Sequence, residues 1–141
     1  MEYIQFMPLT TKQFCLYRSF SYLYENGMGF KILYETSNVS LWTYRLGECG
    51  GNFSTPNGIF TSPSYPDNYP ENVDCTYLIS LPEGTYVNMT IIDMDISCWD
   101  SGTSDRIEFR DGSSGNSPLM GRWCGHGSQH LQTTQNYMRI R

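Results

Sequence analysis

The chain has 141 residues with 39% hydrophobic content, seven prolines, 13 glycines, 11 tyrosines and a net charge of −5. That length accommodates one domain with an appendage and excludes two full-size domains with separate cores. Residues 1–48 carry four acids and four bases, whereas 49–141 carry ten acids, five arginines and no lysine, a balance that repels phosphate backbones and disfavours nucleic acid, and that either serves solubility or suits cationic partners and divalent ions.

Pro and Gly interrupt helices while Tyr and β-branched residues suit pleated surfaces, so the composition points to a turn-rich all-β protein, and no window sustains a helical period. Residues 1–26 are aromatic and irregular, with Phe14, Leu16, Tyr17, Phe20, Tyr22 and Tyr24 dense around Cys15. Glu25-Asn26-Gly27 signals a turn, and Phe30, Ile32 and Tyr34 then share one face of a strand. Thr36 to Glu48 reads as a polar connector containing Trp42 and Tyr44. A loop after Cys49-Gly50-Gly51 leads to the short apolar Ile59-Phe60, and Pro63, Pro66 and Pro70 are expected to hold the next stretch extended and outside any central ladder. Tyr77, Ile79 and Leu81 alternate as one strand, Pro82 to Thr85 turns, and Val87, Met89 and Ile91 alternate as the next. Ile107 and Phe109 form a further strand ending at Asp111-Gly112, and at the end Met138 and Ile140 point one way while Arg139 and Arg141 point the other. Ending in mid-alternation points to truncation.

Five cysteines in a small β-rich chain are compatible with disulfides, a metal cluster or buried thiols. No spacing is Cys-x-x-Cys and only two histidines exist, so disulfides are the better reading and an oxidising compartment follows. Cys49 to Cys75 and Cys98 to Cys124 each span 26 positions, and a bridge closing such a loop contributes about 3.5 kcal/mol in the chain-entropy model. The sequons at Asn38, Asn52 and Asn88 agree with extracellular placement as candidate glycosylation sites. Met1 to Phe20 lacks an apolar run of signal-peptide length and no 18 apolar residues run together, so the expectation is a fragment or a start that is not the natural one.

Cys49-Gly50-Gly51, Gly58-Ile59, Ser62-Pro63-Ser64-Tyr65-Pro66, Tyr69-Pro70, Cys75-Thr76-Tyr77, Pro82-Glu83-Gly84, the Asp105 to Gly112 strand and turn, and Cys124-Gly125 together resemble the CUB domain, an extracellular antiparallel β-sandwich of jelly-roll type. The resemblance covers residues 49–141 and implies bridges of Cys49 with Cys75 and of Cys98 with Cys124. Gly29-Phe30-Lys31-Ile32-Leu33-Tyr34 is similar to the closing strand of such a domain, as in tandem arrays. The expected division is therefore 1–36 as an irregular segment plus the closing strand of a preceding domain, 37–48 as linker, and 49–141 as a CUB domain lacking its last strands. Residues 12–36 are expected to fold back and complete the sandwich beside the sheet bearing Met138 and Ile140, across a connector able to span roughly 40 Å.

Many CUB domains bind calcium through a Glu, an Asp before the next strand, and an Asp in a late loop, and hard oxygen ligands suit that ion. Asp105 matches the second position; the first falls on Ser97, and the third lies beyond Arg141. Asp95 and Asp100 are candidate substitutes near Cys98, set against a reading as turn caps. Trp99 and Trp123, beside Cys98 and Cys124, are expected to cover the disulfide. His126 and His130 sit in a Gly-rich loop that would not hold them as a metal pair. Cys15 is left as a free thiol, an intermolecular partner or a residue orphaned by fragmentation. Ser128 lies in no nucleophile elbow, and Asp93-Met94-Asp95 lacks the Gly and distant Glu of an EF-hand, so no catalytic site is expected. The resemblance implies a non-enzymatic, extracellular or cell-surface module of a multi-CUB endocytic receptor that binds protein ligands through loops, with calcium as a possible aid and Lys or Arg as ligand contacts. Membrane association would come only through the rest of the protein. An accessory module of a secreted protease, or of an adhesion or matrix protein, is the alternative.

Overall fold

A computed structural model describes residues 27–35, 41–98 and 105–141. Cys15, Asn38, Trp99 and Asp100 lie outside these residues. Among the described residues every regular element is a strand: β1 Gly29–Glu35, β2 Trp42–Arg45, β3 Gly51–Phe53, β4 Asn57–Thr61, β5 Tyr77–Ser80, β6 Asn88–Ile96, β7 Ile107–Asp111, β8 Leu119–Trp123, β9 Gly125–His126, β10 Gln129–Gln132 and β11 Tyr137–Ile140. They form two sheets. Sheet A runs β10-β6-β1-β4-β2, with β9 also on β6, and sheet B runs β3-β5-β11-β7-β8.

Alternation builds the core. Phe30, Ile32 and Tyr34 of β1, Phe60 of β4 and Met89 and Ile91 of β6 face inward from sheet A, where Ile32, Tyr34, Phe60, Met89 and Ile91 are all 0% exposed. They meet Phe53, Tyr77, Ile79, Ile107, Phe109, Met138 and Ile140 of sheet B, each 1% exposed or less. Aromatic rings join the layers: Phe60 stacks on Tyr77 at 4.8 Å and lies 4.7 Å from Phe53, while Phe30 meets Tyr77 edge-on at 5.7 Å. Full burial of each such side chain contributes about 1.5–3 kcal/mol.

The N-terminal strand completes the sandwich, although in the sheet opposite to the one expected. β1 pairs antiparallel with β4 on one side (Ile32 with Phe60) and with β6 on the other (Ile32 with Ile91). No position beside the strand bearing Met138 and Ile140 is free, because β11 is already bonded to β5 and β7. The nine-residue β6 can pair along all seven residues of β1. Two glycines fit the strand into its slot. Gly29 has φ +87° and a Cβ there would meet the Ser62 hydroxyl, which accepts the Phe30 N–H at 3.0 Å. Gly58 lies against the Tyr34 ring, where a Cβ would collide.

Other expectations change at the edges. Trp42 to Arg45 is a strand rather than connector, since Trp-Thr-Tyr has strand propensity and a free edge of β4 to extend; it runs parallel to β4. β3 is parallel to β5, so the sandwich is antiparallel only away from these two edges. The proline-rich stretch turns instead of extending: Ser64 has φ +62°, and the Tyr65 and Asp67 amides donate to Ser62 and Ser64 carbonyls at 3.3 and 2.7 Å. Pro fixes its own φ and restricts the residue before it, but leaves the residue after it, here Ser64, free to turn. The Gly-rich stretch after Cys124 supplies β9 and β10, both added to β6.

Candidate ligand-binding end of the sandwich

The turn at Ser62 to Tyr69 sends two tyrosines to two acidic segments. Tyr65 donates its hydroxyl to Asp93 Oδ2 at 2.8 Å, and Tyr69 donates to Asp105 Oδ2 at 2.7 Å while accepting the Ser97 N–H at 3.1 Å. The Tyr69 amide donates to the Gly27 carbonyl at 3.2 Å, which ties the entry to β1 to the same place. One buried phenol therefore joins the end of β6, the start of β7 and the lead into β1. Burial, and then the hydrogen bond to Asp105, push the Tyr69 hydroxyl up to about 12, so at neutral pH it stays a donor.

Asp105 is exposed, and its second oxygen has no partner among the described residues. Asp95 is held otherwise: Oδ2 accepts the Met28 N–H at 3.3 Å and Oδ1 lies 3.5 Å from His126 Nδ1. Tyr69 thus brings Ser97 and Asp105 together, and Asp95 belongs to a neighbouring cluster around β1 and β9. Among the described residues no three His, Cys, Asp or Glu side chains converge in a metal-binding group. His126 faces Asp95 and His130 bonds Thr90 Oγ1 at 3.1 Å, so the two histidines serve separate points along β6. Tyr65, Tyr69 and Asp93 carry the arrangement without having been singled out as site residues; their signal was two tyrosines, four apart, in a Pro-punctuated turn beside acidic strand ends.

Both 26-residue separations are disulfides, Cys49–Cys75 with Cα atoms 4.9 Å apart and Cys98–Cys124 with 5.5 Å. The second fastens the end of β6, next to Ser97, to the joint between β8 and β9. Trp123 packs on Phe109 at 5.3 Å and over Gly121, the inward-facing neighbours of the adjacent strand and of its own. Asn52 is exposed on the edge strand β3, and Asn88 is half-buried between Glu35 and Gln132.

A sequence model described as the CUB domain matches residues 49–141. Bone morphogenetic protein 1 of Xenopus laevis is 38% identical over 116 residues, covering 82% of this chain and 15% of that protein. Cubilin of Sus scrofa is 32% identical over 123 residues, covering 82% and 3%, and tolloid-like protein 1 of Mus musculus 36% over 111 residues, covering 78% and 10%. The chain thus spans a small part of each relative. Alignments over 82% of the chain are too long to fit within residues 49–141, so they extend upstream of Cys49 through the β1 segment.

Proposed function

Because the chain belongs to the CUB domain family, we propose that it is an extracellular protein-binding module whose loop end, built around Tyr69, recognises basic side chains of protein ligands. The observation that carries this reading is the Tyr69 hydroxyl, which joins the Ser97 amide to one carboxylate oxygen of the exposed Asp105. A fixed carboxylate pairs with Lys or Arg at lower entropic cost than a freely rotating one. Asp93 is oriented by Tyr65 in the same way, opposite Lys31 of β1.

Calcium, which the resemblance implies, would be held at Asp105 and would order the surrounding loops by charge. Ser97 offers a hydroxyl where the pattern has a carboxylate, and Asp95 is engaged elsewhere, so the donor set is thin against the six to eight oxygens calcium prefers, and the proposed affinity lies near ~1 mM, the weak end for extracellular modules. The module carries no catalytic role in this reading. Asn52 is proposed to carry a glycan on the exposed edge, with Asn38 and Asn88 as further sequons. Gly29 to Tyr34 is proposed to be a closing strand of CUB type that serves this sandwich, between β4 and β6.

The whole protein is proposed to be a multi-domain endocytic receptor of cubilin type. An accessory module of a secreted protease, or of an adhesion or matrix protein, is the second reading, since bone morphogenetic protein 1 and tolloid-like protein 1 match as well as cubilin does; the flanking sequence separates them. The binding test is a labelled Lys/Arg-rich peptide titrated with and without calcium. Asp105→Asn is expected to weaken binding about tenfold and to abolish any calcium-dependent rise in melting temperature. Undiminished binding by that variant would sink the proposal.

A further inference from the structure

Outward-facing positions of sheet B gather four of the five arginines between Cys49 and the end of the chain. Arg139 on β11 lies directly opposite Arg110 on β7 and, on its other side, opposite Leu78 of β5. Arg122 on β8 is opposite Glu108 on β7, and Arg141 follows β11 one step further along the same face. Two carboxylates serve this set. Glu108 takes Arg110 Nε on one oxygen and Arg122 Nε on the other, each at 2.6 Å. Asp74 holds Arg141 through two bonds, at 2.8 and 2.6 Å. Among the described residues Arg139 makes no ion pair.

Four guanidiniums against two carboxylates leave an excess of two positive charges on one face of a segment that holds the chain's whole net charge of −5. Among the described residues Glu108 and Asp74 are the acids that bond these arginines, so guanidiniums outnumber their carboxylate partners two to one. Placing Arg139 opposite Arg110 also works against the sheet, since like charges directly across a ladder destabilise it. A carboxylate at position 139 would pair with Arg110 and serve stability better. Half of the side chain of Arg122 and more than half of that of Arg141 are exposed, 49% and 58%, while Arg110 is fixed by Glu108 and by the Ser117 carbonyl at 2.9 Å. Fixed and exposed guanidiniums alternate with partly exposed Leu78, Tyr137 and Leu119.

We infer that the outer face of sheet B is a second docking surface, for an acidic protein segment whose carboxylates enter the guanidinium forks of Arg139 and Arg122. Planar, bidentate Arg–carboxylate pairing gives geometric selectivity. The interleaved apolar side chains fit a polypeptide with apolar residues between its acids better than a sulfated polysaccharide, which is charged along its whole length and meets repulsion from the acidic remainder of the domain. This surface is independent of the Tyr69 end, and its charge preference is the opposite one.

The test uses the full chain in EDTA and a short labelled peptide alternating Glu and Tyr, with a Lys-for-Glu version as control. The Glu peptide is expected to bind, and the Lys version not to. Affinity should fall by about tenfold between roughly 0.05 and 0.3 M salt, and by about tenfold again in the Arg122→Gln/Arg139→Gln variant. Should that double variant lose its cooperative melting, Arg122→Gln alone, at an exposed edge position, is expected to give a several-fold loss of binding while cooperative melting is retained. Asp105→Asn should leave binding intact, which separates this surface from the Tyr69 end. Absence of binding at low salt, equal binding by the folded arginine variants, dependence on Asp105, or tighter binding of a heparin oligosaccharide than of the Glu peptide would each overturn the proposal.

Discussion

Tyr69 is buried to 8% exposure at a point where a phenylalanine would fill the same volume, so its hydroxyl is retained for what it bonds. Removing it leaves the Ser97 amide and one Asp105 oxygen without that partner, and Tyr69→Phe is expected to cost about 1–3 kcal/mol in urea unfolding. The alkaline limb of stability carries a second signature. The folded hydroxyl titrates near 12 against 10.0 for an unperturbed tyrosine, so between those values the unfolded chain gives up a proton that the folded one keeps. Stability is fully present below pH 10, falls as pH rises through that window, and levels off above it. Tyr34 and Tyr77, also raised by burial, add slopes of the same sign. Tyr69→Phe should remove its share of the slope, as seen in denaturant midpoints measured from pH 9 to about 12. Conversely, Asp74 and Glu108 are held below their ordinary values by hydrogen bonds from Arg141 and Arg122. Their stabilisation is present above the unfolded carboxyl range and is lost as pH falls through the lowered folded values.

At the scale of the element, β1 is the strand on which sheet A depends, because it bonds neighbours on both sides and its inward residues reach the aromatic cluster. Ile32→Ala is expected to cost about 2–5 kcal/mol, whereas Lys31→Ala, one residue away on the outer face, should stay within about 0.5 kcal/mol. Thermal melts of the two variants check this, and equal effects would show that β1 does not hold its slot in solution. The alternation of Phe30, Ile32 and Tyr34 was plain in the sequence, as were β5, β7, β11 and the first half of β6, because each buries every second residue. The sheet that β1 enters was not, since period-2 patterning fixes which face of a strand is buried and leaves its partners open. β2, β3, β8, β9 and β10 were missed for a related reason: short strands at the sheet edges bury little, and their residues look like those of loops. At the candidate site, Asp105 was named from the family pattern the chain resembles. The Tyr69 link was not, because it depends on a turn that brings together positions 28 and 36 residues apart in the chain.

Across the whole molecule, the two disulfides close loops of equal separation and so carry equal entropic weight, about 3.5 kcal/mol each in the chain-entropy model. Their positions differ. Cys49–Cys75 lies just ahead of the parallel pair of β3 and β5, whose register starts at Gly51 opposite Tyr77, so it staples one edge of sheet B. Cys98–Cys124 joins the end of β6 in sheet A to the end of β8 in sheet B and thereby fixes the two layers to each other beside Ser97. Replacing either pair by serines should therefore lower the unfolding free energy by similar amounts, with different local consequences. Loss of Cys98–Cys124 should raise hydrogen exchange at the Ser97 amide and weaken binding of a Lys/Arg-rich peptide, because the Tyr69 hydroxyl then bonds a strand end free to move. Loss of Cys49–Cys75 should leave that amide protected and the binding unchanged. Equal exchange at Ser97 in both variants would mean that the packed sheets alone hold the loop end in place.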